Sequence, residues 1–168
     1  MALSMYQASV PVFTRMLANP GNVLDKGAKH AEAKKIDPSV LIGVRLYPDM
    51  FPLARQVQIA TDHAKGCSAR LAGQELPVYE DKEASFLQLL ERVNRTLEFV
   101  RGFTPAQIDG SEEREVVLQM RTGPLKLTGQ QYLLNVAMPN FYFHVTTTYD
   151  ILRHNGVEVG KRDFVGAP

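Results

Sequence analysis

Apolar residues recur every three or four positions in four long segments of this chain, at about residues 3–35, 52–72, 82–101 and 128–155. This spacing places the apolar side chains on one face of an α-helix, and such a face must be buried against a partner. The second segment carries the most regular stripe, formed by Leu53, Val57, Ala60, Ala64, Cys67 and Leu71. Four amphipathic helices with unequal connections predict a mainly all-α fold, a four-helix bundle.

Local signals predict where these helices begin, bend and end. Gly73 follows the second segment and is expected to terminate its helix. Thr128 and Gln131 form a capping box, in which each side chain satisfies a free backbone amide, at the start of the fourth helix. Pro11 and the pair Pro20-Gly21 predict a kink or break in the first helix, because an interior proline loses a backbone hydrogen bond.

The fourth helix is predicted to continue to about His154 or Asn155, with Pro139 bending it early. Residues at helical spacing along it should face the core. This inner stripe is predicted to consist of Leu134, Ala137, Phe141, Val145, Thr148 and Leu152.

Shorter elements are predicted between and after the long helices. Asp37 and Pro38 predict a short helical turn with the aspartate as its N-cap. Residues 114–120 and 125–128 indicate a small β-hairpin around Thr122-Gly123-Pro124, between the third and fourth helices. Residues 157–168 contain scattered charge, glycine and proline and predict a tail. We expect residues 1–168 to form one domain.

The composition argues against several classes of partner. The chain has 19 basic and 18 acidic residues without a basic cluster, so we expect no nucleic-acid partner. No stretch approaches the ~18 apolar residues that a membrane span needs, and we expect no membrane partner. The chain has 1 cysteine, Cys67, which excludes an intramolecular disulfide and favours the cytoplasm.

Two histidines are the strongest functional candidates, because the chain has no Gly-rich phosphate loop, no Cys-x-x-Cys pair and no His-Glu-x-x-His motif. His63 lies in the middle of the second predicted helix, at the edge of the inner stripe. His144 lies at the corresponding edge of the fourth helix. Histidines at the margins of two inner stripes can meet across a bundle, which is how bundle metal sites are built.

The fourth helix resembles the last helix of the DinB/YfiT-like proteins. In that superfamily two histidines four residues apart precede a Leu-Arg-x-x-Gly ending; here Leu152-Arg153 and Gly156 match the ending and His144 matches the second histidine. His63 matches the histidine of the second helix. The stretches Arg45-Leu-Tyr-Pro-Asp-Met50 and Pro139-Asn-Phe-Tyr-Phe-His144 indicate the uncharacterised, domain-of-unknown-function branch. The resemblance implies a DinB-like four-helix bundle with a divalent-metal triad.

One position departs from the family pattern. Asn140 stands where the resemblance implies the first histidine of the pair, so the implied triad is reduced to two histidines and an amide. An amide oxygen is a weak donor to zinc or nickel, and catalytic sites of these ions use three protein ligands. A divalent metal therefore remains an option, but we favour no bound metal. In the favoured alternative, His63 and His144 form a buried polar pair.

The surroundings of that pair are predicted from the helical spacing and from the resemblance. Hydrogen-bond partners of the two imidazoles are expected among Asn140, Gln56 and Thr148, and the possible pocket lining consists of Gln56, Cys67 and Thr148.

Two classes of function follow from these expectations. The first is a small-molecule or degenerate metal site around His63, His144 and Asn140, and the resemblance extends it to a metal-dependent thiol transferase or hydrolase. The second is a non-catalytic, homodimeric scaffold or interaction module. The aromatic outer surface of the fourth helix favours this second class, and its residues are Tyr142, Phe143 and Tyr149.

Overall fold

The computed structural model describes residues 3–166 and consists mainly of helices. Its elements, in chain order, are α1 (Met5–Lys34), α2 (Pro38–Gly43), α3 (Leu53–Ala72), α4 (Phe86–Arg101), α5 (Pro105–Ile108), β1 (Glu115–Met120), β2 (Gly123–Thr128), α6 (Gly129–Tyr132), a π-helical turn (Leu133–Ala137), α7 (Met138–His154) and α8 (Lys161–Val165). The segments from α6 to α7 follow one another without interruption and form the last long helix, residues 129–154.

Four long helices form the bundle, and the predicted fold class is confirmed. α1 packs mainly against α4 and also against α7, while α3 packs mainly against α7 and also against α4. The first two long helices of the sequence are therefore diagonal in the bundle. Phe13 of α1 and Phe141 of α7 meet edge to face in the core, with ring centroids 4.9 Å apart.

Most of the predicted helix ends are confirmed, since they depend on local backbone chemistry. Gly73 ends α3 in the left-handed conformation, with φ of 66°. Asp37 accepts a hydrogen bond from the backbone N–H of Ser39 and caps α2. The capping box of Thr128 and Gln131 begins the last long helix.

Two predictions about the first three long helices are corrected. α1 is not broken at Pro11 or Pro20; it runs from Met5 to Lys34. Core side chains flank both prolines, so tertiary packing outweighs the local loss of hydrogen bonds. The helix expected from residue 82 begins at Phe86, because the Ser85 hydroxyl caps it by accepting from the backbone N–H of Gln88.

The predicted hairpin is present, with a shorter turn. Met120 pairs with Gly123, so the turn consists of Arg121 and Thr122, and Gly123 and Pro124 belong to the second strand. Gly123 has φ of 115°, which favours glycine.

The predicted tail is wrong for its described part. Val157 and Val159 are buried in the core, and α8 packs against α1. The side chain of Asp163 accepts a hydrogen bond of 2.7 Å from Lys26 of α1. Buried valines and this ion pair tie the segment to the bundle. The last two residues of the predicted tail lie outside the described residues.

The π-helical turn changes the register of the last long helix. A π turn holds an additional residue compared with an α-helical turn, so positions before it rotate relative to positions after it. Leu133 is accordingly buried, whereas Leu134, predicted for the inner stripe, is 54% exposed. The turn immediately precedes Met138 and Pro139, and proline offers no N–H to the preceding turn. The rest of the predicted stripe, from Ala137 to Leu152, is buried.

Within residues 3–166, none of the helices combines the length and the apolar character that crossing a bilayer requires.

Candidate functional site

α3 and α7 bring the two candidate histidines together. The ring centroids of His63 and His144 lie 6.1 Å apart, and the ring planes are within 14° of parallel. His63 is partly exposed, whereas His144 is only 8% exposed. The proximity expected from the inner-edge positions of both residues is therefore present, with His144 behind His63.

Gln56 fixes the hydrogen bonding of His144. Its Nε2 donates to the backbone carbonyl of Phe51 over 2.9 Å, which turns its Oε1 toward Nδ1 of His144 at 2.7 Å. An amide oxygen only accepts, so Nδ1 of His144 carries a hydrogen and Nε2 of the neutral ring keeps its lone pair. Burial, then the neighbouring His63 and then Arg55, lower the pKa of His144 to about 4. His144 is therefore a neutral imidazole at pH 7.

Burial also lowers the pKa of His63, while Asp62 acts in the opposite direction and Arg70 adds to the lowering. Asp62 does not orient the imidazole, because its carboxylate is engaged elsewhere. Its Oδ1 lies 3.0 Å from both Nζ of Lys65 and Nη2 of Arg92. His63 is thus a partly exposed neutral imidazole without a bonded carboxylate.

Asn140 is exposed and lines the same surface groove as His63. Its Nδ2 donates to the backbone carbonyl of Val136 over 2.7 Å, beside the π-helical turn. The amide nitrogen of Asn140 is therefore engaged by its own helix, and it has no lone pair that could replace that of an imidazole.

The three residues predicted to line a pocket are all buried away from this groove. Gln56 supports His144 as described above. The hydroxyl of Thr148 donates to the backbone carbonyl of His144 over 2.9 Å. Cys67 is fully buried, and burial raises the pKa of its thiol, so it is not a nucleophile in this state.

The donor set does not fit a tightly held metal ion. Within the described part of the chain, no three side chains of the His, Cys, Asp and Glu types converge on a common ion position. Two imidazoles on one tetrahedral zinc would have ring centres about 5 Å apart, given Zn–N bonds of about 2.1 Å. The observed distance of 6.1 Å between the ring centroids of His63 and His144 is wider than this. His63 and His144 are thus not spaced as ligands of one tetrahedral ion.

A groove with a volume of about 500 Å³ lies beside His63. It is bounded by α3, the loop of residues 74–85, strand β1 and the last long helix. The polar residues of the groove are Asp62, His63, Lys65, Arg70, Tyr79, Gln119, Tyr132 and Asn140. Its apolar walls include Leu76, Val78, Leu118, Met120 and Val136. We refer to this cavity as the His63 groove.

Tyr79 holds the loop of residues 74–85 against the bundle. Its ring lies under two cations, with Nζ of Lys65 at 3.9 Å and Cζ of Arg95 at 4.1 Å from the ring centre. Arg92 adds a third, more distant contact and is itself buried against Glu83 at 3.0 Å. These cation–π contacts and ion pairs anchor the wall of the groove that lacks regular secondary structure.

Arg70 and Tyr132 form the inner end of the groove. Nη1 of Arg70 donates to the Tyr132 hydroxyl over 3.1 Å. Burial is the main reason that the pKa of Tyr132 is raised to about 12, so its hydroxyl is neutral at pH 7.

The sequence patterns did not reveal Lys65, Arg70, Tyr79 or Tyr132 as site residues. One signal was present: Gly66 lies in the middle of a predicted helix, where glycine costs about 1 kcal/mol relative to alanine. A β-carbon at this position would lie 2.5 Å from Nη1 of Arg70. An interior helical glycine indicates a close approach, but the approaching group becomes known only from the fold.

Comparisons with known proteins agree with this architecture. The model of a family described as a domain of unknown function (DUF1993) matches residues 5–165. The crystal structure of a DinB family member protein from Shewanella denitrificans is similar to the chain with a TM-score of 0.88 and 42% sequence identity, over 97% of this chain and 92% of that one. None of the curated proteins matches the chain. The matched family model and this structural relative together show that the chain belongs to the DUF1993 family of DinB-like proteins.

Proposed function

We propose that this protein binds a small organic molecule in the His63 groove and does so without a tightly held metal ion. The groove itself supports the proposal: its volume of about 500 Å³ falls within the ~300–1,000 Å³ range of ligand pockets. Its walls combine apolar side chains with a few converging polar groups, which is the usual composition of such pockets.

His63 is the residue that we expect to contact the ligand from α3. Its imidazole lines the groove and is partly exposed, and its lowered pKa leaves it neutral at pH 7. A neutral imidazole can donate one hydrogen bond and accept another. His144 supports it from behind and is itself held by Gln56. His63 therefore offers a polar contact opposite the apolar side chains that the other walls contribute.

The metal-dependent thiol transfer or hydrolysis implied by the family resemblance has less support. Such chemistry needs three protein ligands and an open position. Here the imidazole donors are His63 and His144, and Asn140 adds only a neutral amide, whose Nδ2 is bonded to its own helix. The only cysteine of the chain, Cys67, is fully buried. We also propose a cytoplasmic location, because a single buried thiol forms no intramolecular disulfide.

A fragment screen by ligand-observed NMR, on protein kept in a chelator, tests this proposal. Val136→Trp should fill the groove, and Leu134→Trp is its matched control, because Leu134 lies in the same π-helical turn but is 54% exposed. We expect fragments to bind the wild type and Leu134→Trp but not Val136→Trp. Fragments that bind all three proteins equally, or no binding fragments at all, would refute the proposal.

A second candidate function is a homodimeric interaction module, supported by the outer surface of the last long helix. Phe143 is 55% exposed and Tyr142 is also exposed. Tyr149, predicted for this surface, instead contacts Phe164 of α8 with ring centroids 5.8 Å apart. Sedimentation velocity of the wild type should then give the mass of a dimer.

Phe143→Ser should convert the dimer to a monomer, whereas Val40→Ser, an exposed control on α2, should not. A monomeric wild type would rule out the dimer.

A further inference from the structure

We infer that the ligand of the His63 groove is a small organic monocarboxylate with an apolar body, and that Arg70 binds its carboxylate. This inference rests on the proposed function, because it concerns the same groove. Three features of the groove support it: the positive charge of Arg70 without an acidic partner, the space provided by Gly66, and the balance of charge along the walls.

Arg70 brings a positive charge into the groove without an acidic partner. Among residues 3–166, no carboxylate forms an ion pair with it; its contacts are the Tyr132 hydroxyl at 3.1 Å and the Tyr132 ring at 5.6 Å. The other two cations near the groove differ, since Lys65 and Arg92 both bind Asp62. A partly buried guanidinium without an anion has lost hydration that no protein carboxylate replaces. A ligand carboxylate would supply that partner.

Gly66 gives Arg70 its position. The two residues are one turn apart on α3, and a β-carbon at position 66 would lie 2.5 Å from Nη1 of Arg70. The guanidinium therefore folds back along its own helix, in space that any other residue would occupy. Gly66 is buried and lies in mid-helix, where glycine weakens the helix. The placement of Arg70 accounts for this unfavourable residue.

Tyr132 completes the anion site. Its hydroxyl oxygen accepts from Arg70, and its own hydrogen remains for a ligand oxygen. The hydroxyl is neutral at pH 7, because burial raises its pKa to about 12. One guanidinium and one hydroxyl donor thus converge at the inner end of the groove, which suits the two oxygens of a carboxylate.

The charge balance favours a monoanion. At pH 7 His63 is neutral and the charge of Asp62 is matched by Lys65 and Arg92, with Arg92 also bound to Glu83. Arg70 is then the one cation of the groove walls, among the described residues, without an acidic partner. A phosphate dianion would leave one negative charge uncompensated in this site. The apolar walls formed by Leu118, Val136 and their neighbours would cover the body of the ligand.

The experiment is an NMR titration of isotopically labelled protein at low salt with phenylacetate and hexanoate, their neutral primary amides, and phenyl phosphate. We expect the carboxylates to bind about 10- to 100-fold more tightly than the amides, which is the scale of a hydrogen bond to a charged group. Phenyl phosphate should bind more weakly than phenylacetate. Arg70→Gln should remove the preference for carboxylate over amide.

Two further variants separate recognition from folding. Gly66→Ala should displace the flexible Arg70 side chain and weaken carboxylate binding, while its higher helix propensity maintains or raises thermal stability. Arg101→Gln, at an exposed position at the end of α4 and outside the groove, is the control and should bind as the wild type does.

Other results would overturn the inference. Equal binding of amides and carboxylates, or unchanged carboxylate binding by Arg70→Gln and Gly66→Ala, would remove Arg70 as the recognition residue. Tighter binding of phenyl phosphate than of phenylacetate would contradict the argument that the groove has one positive charge to offer an anion. No binding of any probe would reject the ligand class. The proposed function is judged separately, by whether neutral or other fragments bind the wild type but not Val136→Trp.

Discussion

Lowering the pH from 7 to 4 is expected to reduce the free energy of unfolding by about 3 kcal/mol through His144 alone. Burial lowers the pKa of this residue to about 4 in the folded protein, and an unfolded histidine has a pKa near 6.5. The difference of about 2.5 units corresponds to about 3 kcal/mol, at ~1.4 kcal/mol per unit. The side chain is only 8% exposed, so solvent screens little of this effect.

The sign follows from proton binding. Between pH 6.5 and 4 the unfolded state binds a proton at this position and the folded state does not, so stability falls as the pH falls. Above pH 6.5 neither state is protonated, and below about pH 4 both are, so the effect is confined to this window. The lowered pKa of His63 acts in the same direction.

The assay is urea unfolding followed by circular dichroism at half-unit steps from pH 7.5 to 4, with wild type and His144→Asn. Asparagine keeps an N–H near the position of Nδ1, so the hydrogen bond to Gln56 is retained without a titrating group. The variant should lose about 3 kcal/mol less than the wild type across the window. His154→Asn, at an exposed position, is the control and should follow the wild type.

Parallel loss of stability in the wild type and His144→Asn would refute the reasoning. It would mean that His144 is protonated in the folded protein without cost, and therefore that it is not held as a neutral imidazole.

Three further predictions concern metal binding, the thiol and a close backbone contact. Asn140→His should tighten zinc binding by at least ~10-fold in a chelator competition. Asn135→His, at an exposed position on the same helix, is the control and should not tighten it. Nanomolar zinc binding by the wild type would show that another residue completes the site. Cys67 should react with a thiol reagent only after unfolding, measured by absorbance, and rapid reaction of the native protein would contradict its burial. Gly129→Ala should destabilise the protein by about 1–3 kcal/mol in urea, because a β-carbon would lie 2.0 Å from the Ser111 carbonyl oxygen. Gly43→Ala, with no atom within 4 Å of the added carbon, should have little effect.

The helices and their ends could be predicted from the sequence because they depend on neighbouring residues. The stripe from Leu53 to Leu71 is buried throughout, and Gly73 and Thr128 cap their helices as the local patterns predict. The position of His63 opposite His144 followed from the same helical spacing and from the family resemblance.

Other features were decided only by the tertiary structure. The π-helical turn rotates Leu134 to the surface, and periodicity cannot detect one additional residue in a turn. Val157 and Val159 are buried in the core, and α8 after them packs against α1, although the composition of this segment alone predicted a tail.

The His63 groove shows most clearly which features the local sequence sets and which the tertiary structure sets. The sequence by itself determined that α3 carries His63, Gly66 and Arg70 on successive turns, because one backbone period sets these positions. Only the tertiary structure decided that Tyr132 meets Arg70 from a segment 62 residues away, while Asp62 is taken by Lys65 and Arg92. Which charge is paired and which is left for a ligand depends on distances between segments that are remote in the chain, and no local pattern contains those distances.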